Sequence, residues 1–357
     1  MPPGTRSSIC LMKTSDFDYA LPQELIAQTP LFPRDASRML VCNREDAQRR
    51  DCLFHDFPDY LRKGDALVIN HTRVIPARLL GIKVETGVPV EFLLLRRLSQ
   101  NTWEALVKPG RRLPEGTQVS FGDGRLMARV GQAMADGTRQ VDFSYEGLFE
   151  NVLDALGETP LPPYIHEKLS DPERYQTVYA KLDGSAAAPT AGLHFTPEVL
   201  ARVQEKGIDI VPILLHVGLG TFRPVKAEDA ESHQMHSEYY EVSEDAARRI
   251  NRARQQGGRV VCVGTTSVRT LETVADPQGS IQPGGGMTSI FIRPGTSLRA
   301  TDMLLTNFHL PQSTLLMLVS AFMGRENALD AYRHAVEARY RFFSFGDCML
   351  IGPGLVR

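Results

Sequence analysis

Residues 196–216 read TPEVLARVQEKGIDIVPILLH. Thr196 can cap a helix with its hydroxyl, Pro197 suits the first helical position, and Glu198 favours the positive end of the helix dipole. Gly207 ends that helix, and the apolar run from Ile208 to His216 reads as a strand. The same pattern recurs downstream. Ser243 is a cap, Glu244 and Asp245 occupy a first turn, Gly257-Gly258 is a stop, and a strand from Arg259 to Gly264 leads into a helix near Val268 to Val274. Upstream, Asp65 to Asn70 reads as a short buried strand, and Pro22 to Gln28 as a short helix with proline in its first turn. Alternation of strands with helices predicts an α/β domain built on a mostly parallel sheet.

Between these stretches the pattern changes. Six strand-like runs appear near residues 77–84, 89–98, 102–108, 117–121, 125–131 and 139–145. Turn signals separate them: Thr86-Gly87, Gln100-Asn101, Pro109-Gly110, Gly122-Asp123-Gly124 and Asp136-Gly137. In the last run Val141, Phe143 and Tyr145 alternate with Gln140, Asp142 and Ser144, as a half-buried strand requires. Short strands at this spacing predict a small all-β barrel of about six strands inserted into the α/β domain. The expected division is 1–75 and 148–357 for the α/β domain, with 76–147 as the barrel. No internal repeat is visible, and Pro283 to Gly286 is a low-complexity patch.

Composition bounds the partners. The 357 residues are 42% hydrophobic, 23% charged and 8% aromatic, far from the range of intrinsic disorder. Forty Lys+Arg against 42 Asp+Glu give a formal charge of −2, so bulk charge does not draw this chain to nucleic acid. An RNA partner has to meet a local basic patch. Arg34, Arg38, Arg73 and Arg78, with Arg96, Arg97, Arg111 and Arg112, are candidates, although a solvated charged face explains any one of them as well. The five cysteines, Cys10, Cys42, Cys52, Cys262 and Cys348, are scattered without a Cys-x-x-Cys pair and indicate neither a disulfide framework nor a zinc site. Met1 to Ser8 lacks the apolar core of a secretory signal, so the cytoplasm is the expected compartment. Thr314 to Met323 has about half of the ~20 residues a membrane span needs and is expected to be a core helix.

Four segments concentrate small, hydroxyl and imidazole residues. Gly184 to Thr196 is a small-residue loop running into a helix start; it lets a ligand approach the backbone, and a tight connection under another element fits it equally well. His216-Val217-Gly218-Leu219-Gly220-Thr221-Phe222-Arg223 holds a Gly-x-Gly without the third glycine or the helix of a dinucleotide fingerprint, leaving a loop at the carboxyl end of a strand. Val263 to Arg269 places Thr265, Thr266 and Ser267 beside Arg269 at a strand-to-helix junction, suited to a carboxylate or ribose hydroxyls or to plain capping. Leu304 to Thr314 sets Asn307 and His309 among apolar neighbours, where they must be hydrogen-bonded or face a cavity. His233 and His236 have metal-like spacing but no completing ligand, and read as loop histidines.

Together with Asp16-Phe17-Asp18-Tyr19, Leu21-Pro22, Arg34 to Arg38, Asn70 to Arg78, Met235-His236-Ser237-Glu238 and Arg341 to Asp347, these segments resemble the S-adenosylmethionine:tRNA ribosyltransferase-isomerases of queuosine biosynthesis. The resemblance runs from about Met12 to Ile351, so Met12 is the expected natural start. It implies a monomeric cytoplasmic enzyme with an α/β domain and an inserted barrel. The implied reaction transfers the ribosyl part of S-adenosylmethionine to 7-aminomethyl-7-deazaguanine at the tRNA wobble position, rearranges it to an epoxycyclopentane, and releases adenine and methionine. No metal or redox cofactor is implied; S-adenosylmethionine is consumed as substrate.

That chemistry needs a base for the proton beside the sulfonium and a donor for departing adenine, and histidine suits both. His194, His216 and His309 are the expected acid/base residues. Arg73, Thr190, Thr221, Arg223, Thr265, Thr266, Ser267, Arg269 and Asn307 are the expected substrate-binding residues. The target base must be unstacked to react, and a cleft between barrel and α/β domain, clamped by basic residues of both, is the expected site. An S-adenosylmethionine-dependent RNA methyltransferase would show a glycine-rich loop between its first strand and helix, which is not found. A non-catalytic RNA-binding protein would leave the hydroxyl-rich segments unexplained.

Overall fold

The computed structural model of the chain describes residues 12–46, 48–134, 137–167, 169–218, 228–233 and 235–356. The readings placed on Met1 to Leu11, on Cys10, and on Thr221 and Arg223 lie outside these residues. The chain forms an antiparallel pair from β1 (Arg38–Asn43) and β2 (Arg49–Leu53), then reaches β3 (Ala66–Asn70). β4 (Thr72–Val74) leads out into β5 (Arg78–Lys83), β6 (Pro89–Arg97), β7 (Thr102–Lys108), β8 (Gln118–Phe121), β9 (Leu126–Ala133) and β10 (Arg139–Tyr145). α1 (Phe149–Leu156) and β11 (Gly157–Glu158) follow, and β12 (Leu182–Ser185) returns parallel to β4. The rest runs α2 (Pro197–Glu205), β13 (Asp209–Leu215), β14 (Glu238–Val242), α3 (Glu244–Gln255), β15 (Val260–Val263), α4 (Gly264–Val274), β16 (Gly284–Thr288), β17 (Met303–Asn307), α5 (Thr314–Met323), α6 (Arg325–Glu337) and β18 (Cys348–Gly352).

The six strands β5 to β10 close into an antiparallel barrel in the order β5-β6-β7-β10-β9-β8, sealed by β5 against β8. Alternation put the right side chains inside: Val141 and Phe143 are buried, while Gln140, Asp142 and Ser144 point out. Phe92, Trp103, Phe121 and Phe143 fill the interior, and Phe149 and Leu153 of α1 pack on them. At the seam a Cβ on Gly81 would stand 2.5 Å from the Phe121 ring and 2.6 Å from the Ser120 carbonyl oxygen, so only glycine lets the strands meet there.

The large sheet has the order β16-β14-β13-β3-β15-β17-β18-β1-β2. It is mixed, which corrects the expectation of a mostly parallel sheet. The parallel pairs β13–β3, β3–β15, β15–β17 and β18–β1 are balanced by the antiparallel pairs β16–β14, β14–β13, β17–β18 and β1–β2. The reason lies in the connections. Two helices, α5 and α6, separate β17 from β18, and a second helical pass returns the chain to the end of the sheet where β17 left. Among the described residues no α-helix lies between β13 and β14, only a single 3-10 turn at Ala230–Ser232, and the chain folds back antiparallel.

Central strands are buried on both faces. Leu40, Cys42, Val68 and Cys262 join one core with Val268 and Leu271 of α4 and Leu316 and Phe322 of α5. Met39, Val41, Leu67 and Val261 join the other with Phe54, Phe57, Phe195 and Val199. That alternation across a strand covered by helices on both sides explains their unbroken apolar runs. The expected core helix is α5 itself, and among the described residues no helix is long and apolar enough to cross a membrane.

Candidate active site

The parallel strands β13, β15 and β17 end on the same side of the sheet, where open α/β sheets bind ligands. All four hydroxyl-rich segments, the second through Val217 alone, and the tail residues Phe343 and Ser344 converge there on a narrow cleft of about 50 Å³. Thr190, Thr265, Thr266, Asn307 and His309 all line it. Its volume is well below the roughly 300–1,000 Å³ of a ligand pocket, too small to enclose a whole substrate.

Gly264, at φ +84°, makes the sharp turn from β15 into α4, a backbone conformation suited to glycine. Gly264, Thr265 and Thr266 of the first turn of α4 line the cleft, and the preceding Val263 supplies no side-chain cap. The Thr266 hydroxyl is buried and unpartnered, held over that helix start. This is a place for a carboxylate or a hydroxyl.

His309 lies just beyond β17. Its Nε2 shares a 2.8 Å hydrogen bond with the buried Thr306 hydroxyl, and its backbone N–H donates 3.1 Å to the Tyr332 hydroxyl. Nδ1 has no hydrogen-bond partner among the described residues. Burial pushes this imidazole down to about 3, so it is the free base at neutral pH. His194 is differently placed. Asn307 donates its amide to the Phe343 carbonyl at 2.9 Å, which turns its own Oδ1 toward His194 Nε2 at 3.2 Å. His194 Nε2 is then the donor, and Nδ1 accepts from the Ser37 hydroxyl at 2.7 Å. Both nitrogens are thus committed within the protein. Burial drives His194 down to about 4, with the hydrogen bond to Asn307 opposing and Arg34 and Arg341 adding to the fall.

These depressed values fix a pH dependence. Both histidines are neutral when folded and take up protons near pH 6.5 when unfolded. Their contribution is complete above pH 6.5 and is lost as pH falls toward 4 and then 3. By linkage the pair costs about 4 kcal/mol of stability at pH 5 relative to pH 7.5. Urea midpoints measured across that range should fall with acid, and His309→Gln should flatten the slope.

The remaining expected residues are dispersed. His216 shares a 2.9 Å hydrogen bond with the Thr72 hydroxyl and stacks on Tyr239, outside the lining of the cleft. Ser267 is fully buried and donates 2.8 Å to the carbonyl of Val263 at the end of β15. Arg269 is buried and pairs with Glu238, whose carboxylate also accepts the Gly218 N–H at 2.8 Å and His236 Nε2 at 3.1 Å. Burial raises Glu238, yet Arg269, His236 and the Gly218 N–H together hold it down to about 2. Arg269 Nε and Nη2 remain buried without partners. Reading the sequence missed Glu238, Ser37 and Ser344. Their signal was membership of the Arg34–Arg38, Met235–Glu238 and Arg341–Asp347 blocks, without a role.

A far larger cleft, about 1300 Å³, opens between the barrel and the segment 159–176 with the β4–β12 pair, and holds Arg73. Its lining is acidic: Glu91, Glu150, Asp154, Glu158, Glu173 and Asp183 outweigh Arg73, Arg78 and Lys108. Arg73 pairs with Glu173, and Arg78 with Glu91 at 2.9 Å and Glu158 at 3.1 Å. Arg38, Arg96 and Arg97 are likewise paired, with Asp51, Glu104 and Glu150. Among the described residues, the arginines and lysine that line this cleft, where the phosphate clamp was expected, are all paired with carboxylates. Among the described residues no group of three or more His, Cys, Asp and Glu stands where it could hold a metal ion.

Comparison with known proteins gives the site its family. A protein named S-adenosylmethionine:tRNA ribosyltransferase-isomerase from Symbiobacterium thermophilum is 60% identical over 340 residues, covering 95% of this chain and all of that one. One of the same name from Clostridioides difficile is 56% identical over the same shares. A crystal structure of an S-adenosylmethionine tRNA ribosyltransferase from Thermotoga maritima matches with TM-score 0.55 and 38% identity, over 94% of this chain and 100% of that one. Residues 14–351 match the family described as queuosine biosynthesis protein, and the chain belongs to that family.

Proposed function

We propose that this chain transfers and isomerises the ribosyl moiety of S-adenosylmethionine onto 7-aminomethyl-7-deazaguanine at the wobble position of tRNA. The product is epoxyqueuosine-tRNA, and adenine and methionine are released. The observation that carries this reading is the 60% identity to a relative of that name across its full length. The cleft at the ends of β13, β15 and β17 supports it by gathering a free-base imidazole, unpartnered hydroxyl and helix N-terminus in one place.

His309 is the residue best placed to take the proton from the carbon beside the sulfonium, because its ring lines the cleft and its Nδ1 is uncommitted. Thr265, Thr266 and the start of α4 suit the carboxylate of the methionine portion. Asn307 and His194 act as a positioning pair through their mutual hydrogen bond. S-adenosylmethionine serves as a consumed substrate, without metal or redox cofactor, in a cytoplasmic monomer.

The test incubates the protein with S-adenosylmethionine and tRNA carrying 7-aminomethyl-7-deazaguanine, with products read by mass spectrometry. Adenine, methionine and an epoxyqueuosine nucleoside are expected. S-adenosylhomocysteine with a methylated nucleoside would mean a methyltransferase instead.

A further inference from the structure

Large apolar side chains exposed to water call for a reason when cations surround them. Phe32 is 87% exposed, the most exposed large hydrophobic residue of the described chain. The Arg174 guanidinium stands 5.8 Å from its ring centroid. Arg34 and Arg174 line a second, smaller cleft with Pro30, Leu31, His194 and Ser344. Ser344 also lines the candidate active site, and His194 reaches it through Asn307, so the two clefts share a wall.

The cations here differ from those of the large acidic cleft. Arg34 donates 2.7 Å to the Gln176 carbonyl and 2.8 Å to the Glu173 carbonyl, while Arg174 and Arg341 donate to the Leu31 and Thr29 carbonyls. None of the three guanidiniums forms an ion pair with a carboxylate among the described residues. Carbonyls orient an arginine without an ion pair to a carboxylate, leaving its charge only partly offset by more distant acids. Burial lowers Arg34, and Arg174 beside it lowers it further, while the nearest acids, Asp171 and Glu173, oppose. Arg341 is tempered by Asp347 alone. Two buried nitrogens, Arg174 Nε and Arg341 Nη1, are without hydrogen-bond partners.

An exposed ring beside guanidiniums that form no ion pair among the described residues has the two features that single-stranded nucleic acid recognises: a face for a base and charge for its phosphates. We propose that Phe32, Arg34, Arg174 and Arg341 form the docking surface for the unpaired anticodon strand, with a base next to the reacting nucleotide stacked on Phe32 and its phosphate held by the arginines. The inference rests on the reading of this chain as a tRNA-modifying enzyme. It places the RNA beside the segment Pro30 to Arg34 and the tail near Ser344, next to the edge of the acidic cleft where Glu173 and Gln176 stand.

The test is the affinity of an unmodified anticodon stem-loop RNA, followed by fluorescence anisotropy at two salt concentrations. Phe32→Ala is expected to weaken binding by about tenfold or more, with an unchanged salt slope, because stacking is not ionic. Its thermal midpoint should match the wild type, since the ring is exposed. Phe32→Trp should restore affinity. Arg174→Gln should weaken binding and reduce the slope of log affinity against log salt by about one. Wild-type affinity in both Phe32→Ala and Arg174→Gln overturns the docking surface, even with ribosyl transfer intact. Failure of the wild type to convert S-adenosylmethionine, with both variants still losing RNA affinity, would overturn the reaction and leave the surface standing.

Discussion

Replacing His309 by alanine is expected to lower the single-turnover rate of adenine release by about 10²–10⁴-fold, the range a positioned general base supplies. The expectation follows from placement. The ring lines the cleft at the end of β17, Thr306 fixes its Nε2 at 2.8 Å, and Nδ1 is left for a substrate proton. With its protonation pushed down to about 3 by burial, the imidazole is a free base at neutral pH. The rate should therefore show no titration near pH 6.5 from this residue. His216→Ala provides the contrast, because that ring lies outside the cleft lining, and a much smaller loss is expected. Rapid-quench measurement of adenine decides between them; an unchanged rate in His309→Ala removes this residue from the chemistry. The thermal midpoint of the variant, measured alongside, separates a lost base from a collapsed pocket.

Glu238→Ala is expected to destabilise the protein by about 3–5 kcal/mol, the cost of leaving one partner of a buried ion pair alone. Glu238 and Arg269 are both almost fully buried, and two of the guanidinium nitrogens already lack partners. Removing the carboxylate strands the whole cation and also frees the Gly218 N–H. Urea unfolding should show a lower midpoint with the slope unchanged. The double variant Glu238→Leu with Arg269→Met is expected to recover most of the loss, because removing both charges also removes the desolvation cost. If Glu238→Ala is as stable as the wild type, the pair does not hold β14 against α4.

The barrel was legible because everything that makes it is local. Glycine- and asparagine-bearing turns fall between short alternating runs, and six expected strands match β5 to β10 within a few residues. The large sheet was legible only in part. Each strand could be read from its own residues, but its direction depends on whether one helix, two or none precede it, and sequence spacing does not say where a helix pair docks. The same divide runs through the site. Thr265, Thr266, Asn307 and His309 announced themselves as polar residues at strand ends. Arg269 looked equally available, and its neutralisation by Glu238 is a tertiary fact. Arg174 and Arg341 look like ordinary surface charges in sequence, and only the fold shows that they hydrogen-bond backbone carbonyls rather than pair with carboxylates.

β18 lies between β17 and β1, pairing with both. It is translated long after β1, so on the ribosome the β1–β2 ribbon emerges early and waits with one flank of its backbone groups unpaired. β17, when it appears, has β15 on one side and the same vacancy on the other. A single late strand then joins the two halves. The nascent chain must keep an open edge from aggregating for most of its synthesis, and a shortened transcript that omits residues 348–352 leaves two partial sheets rather than a smaller enzyme.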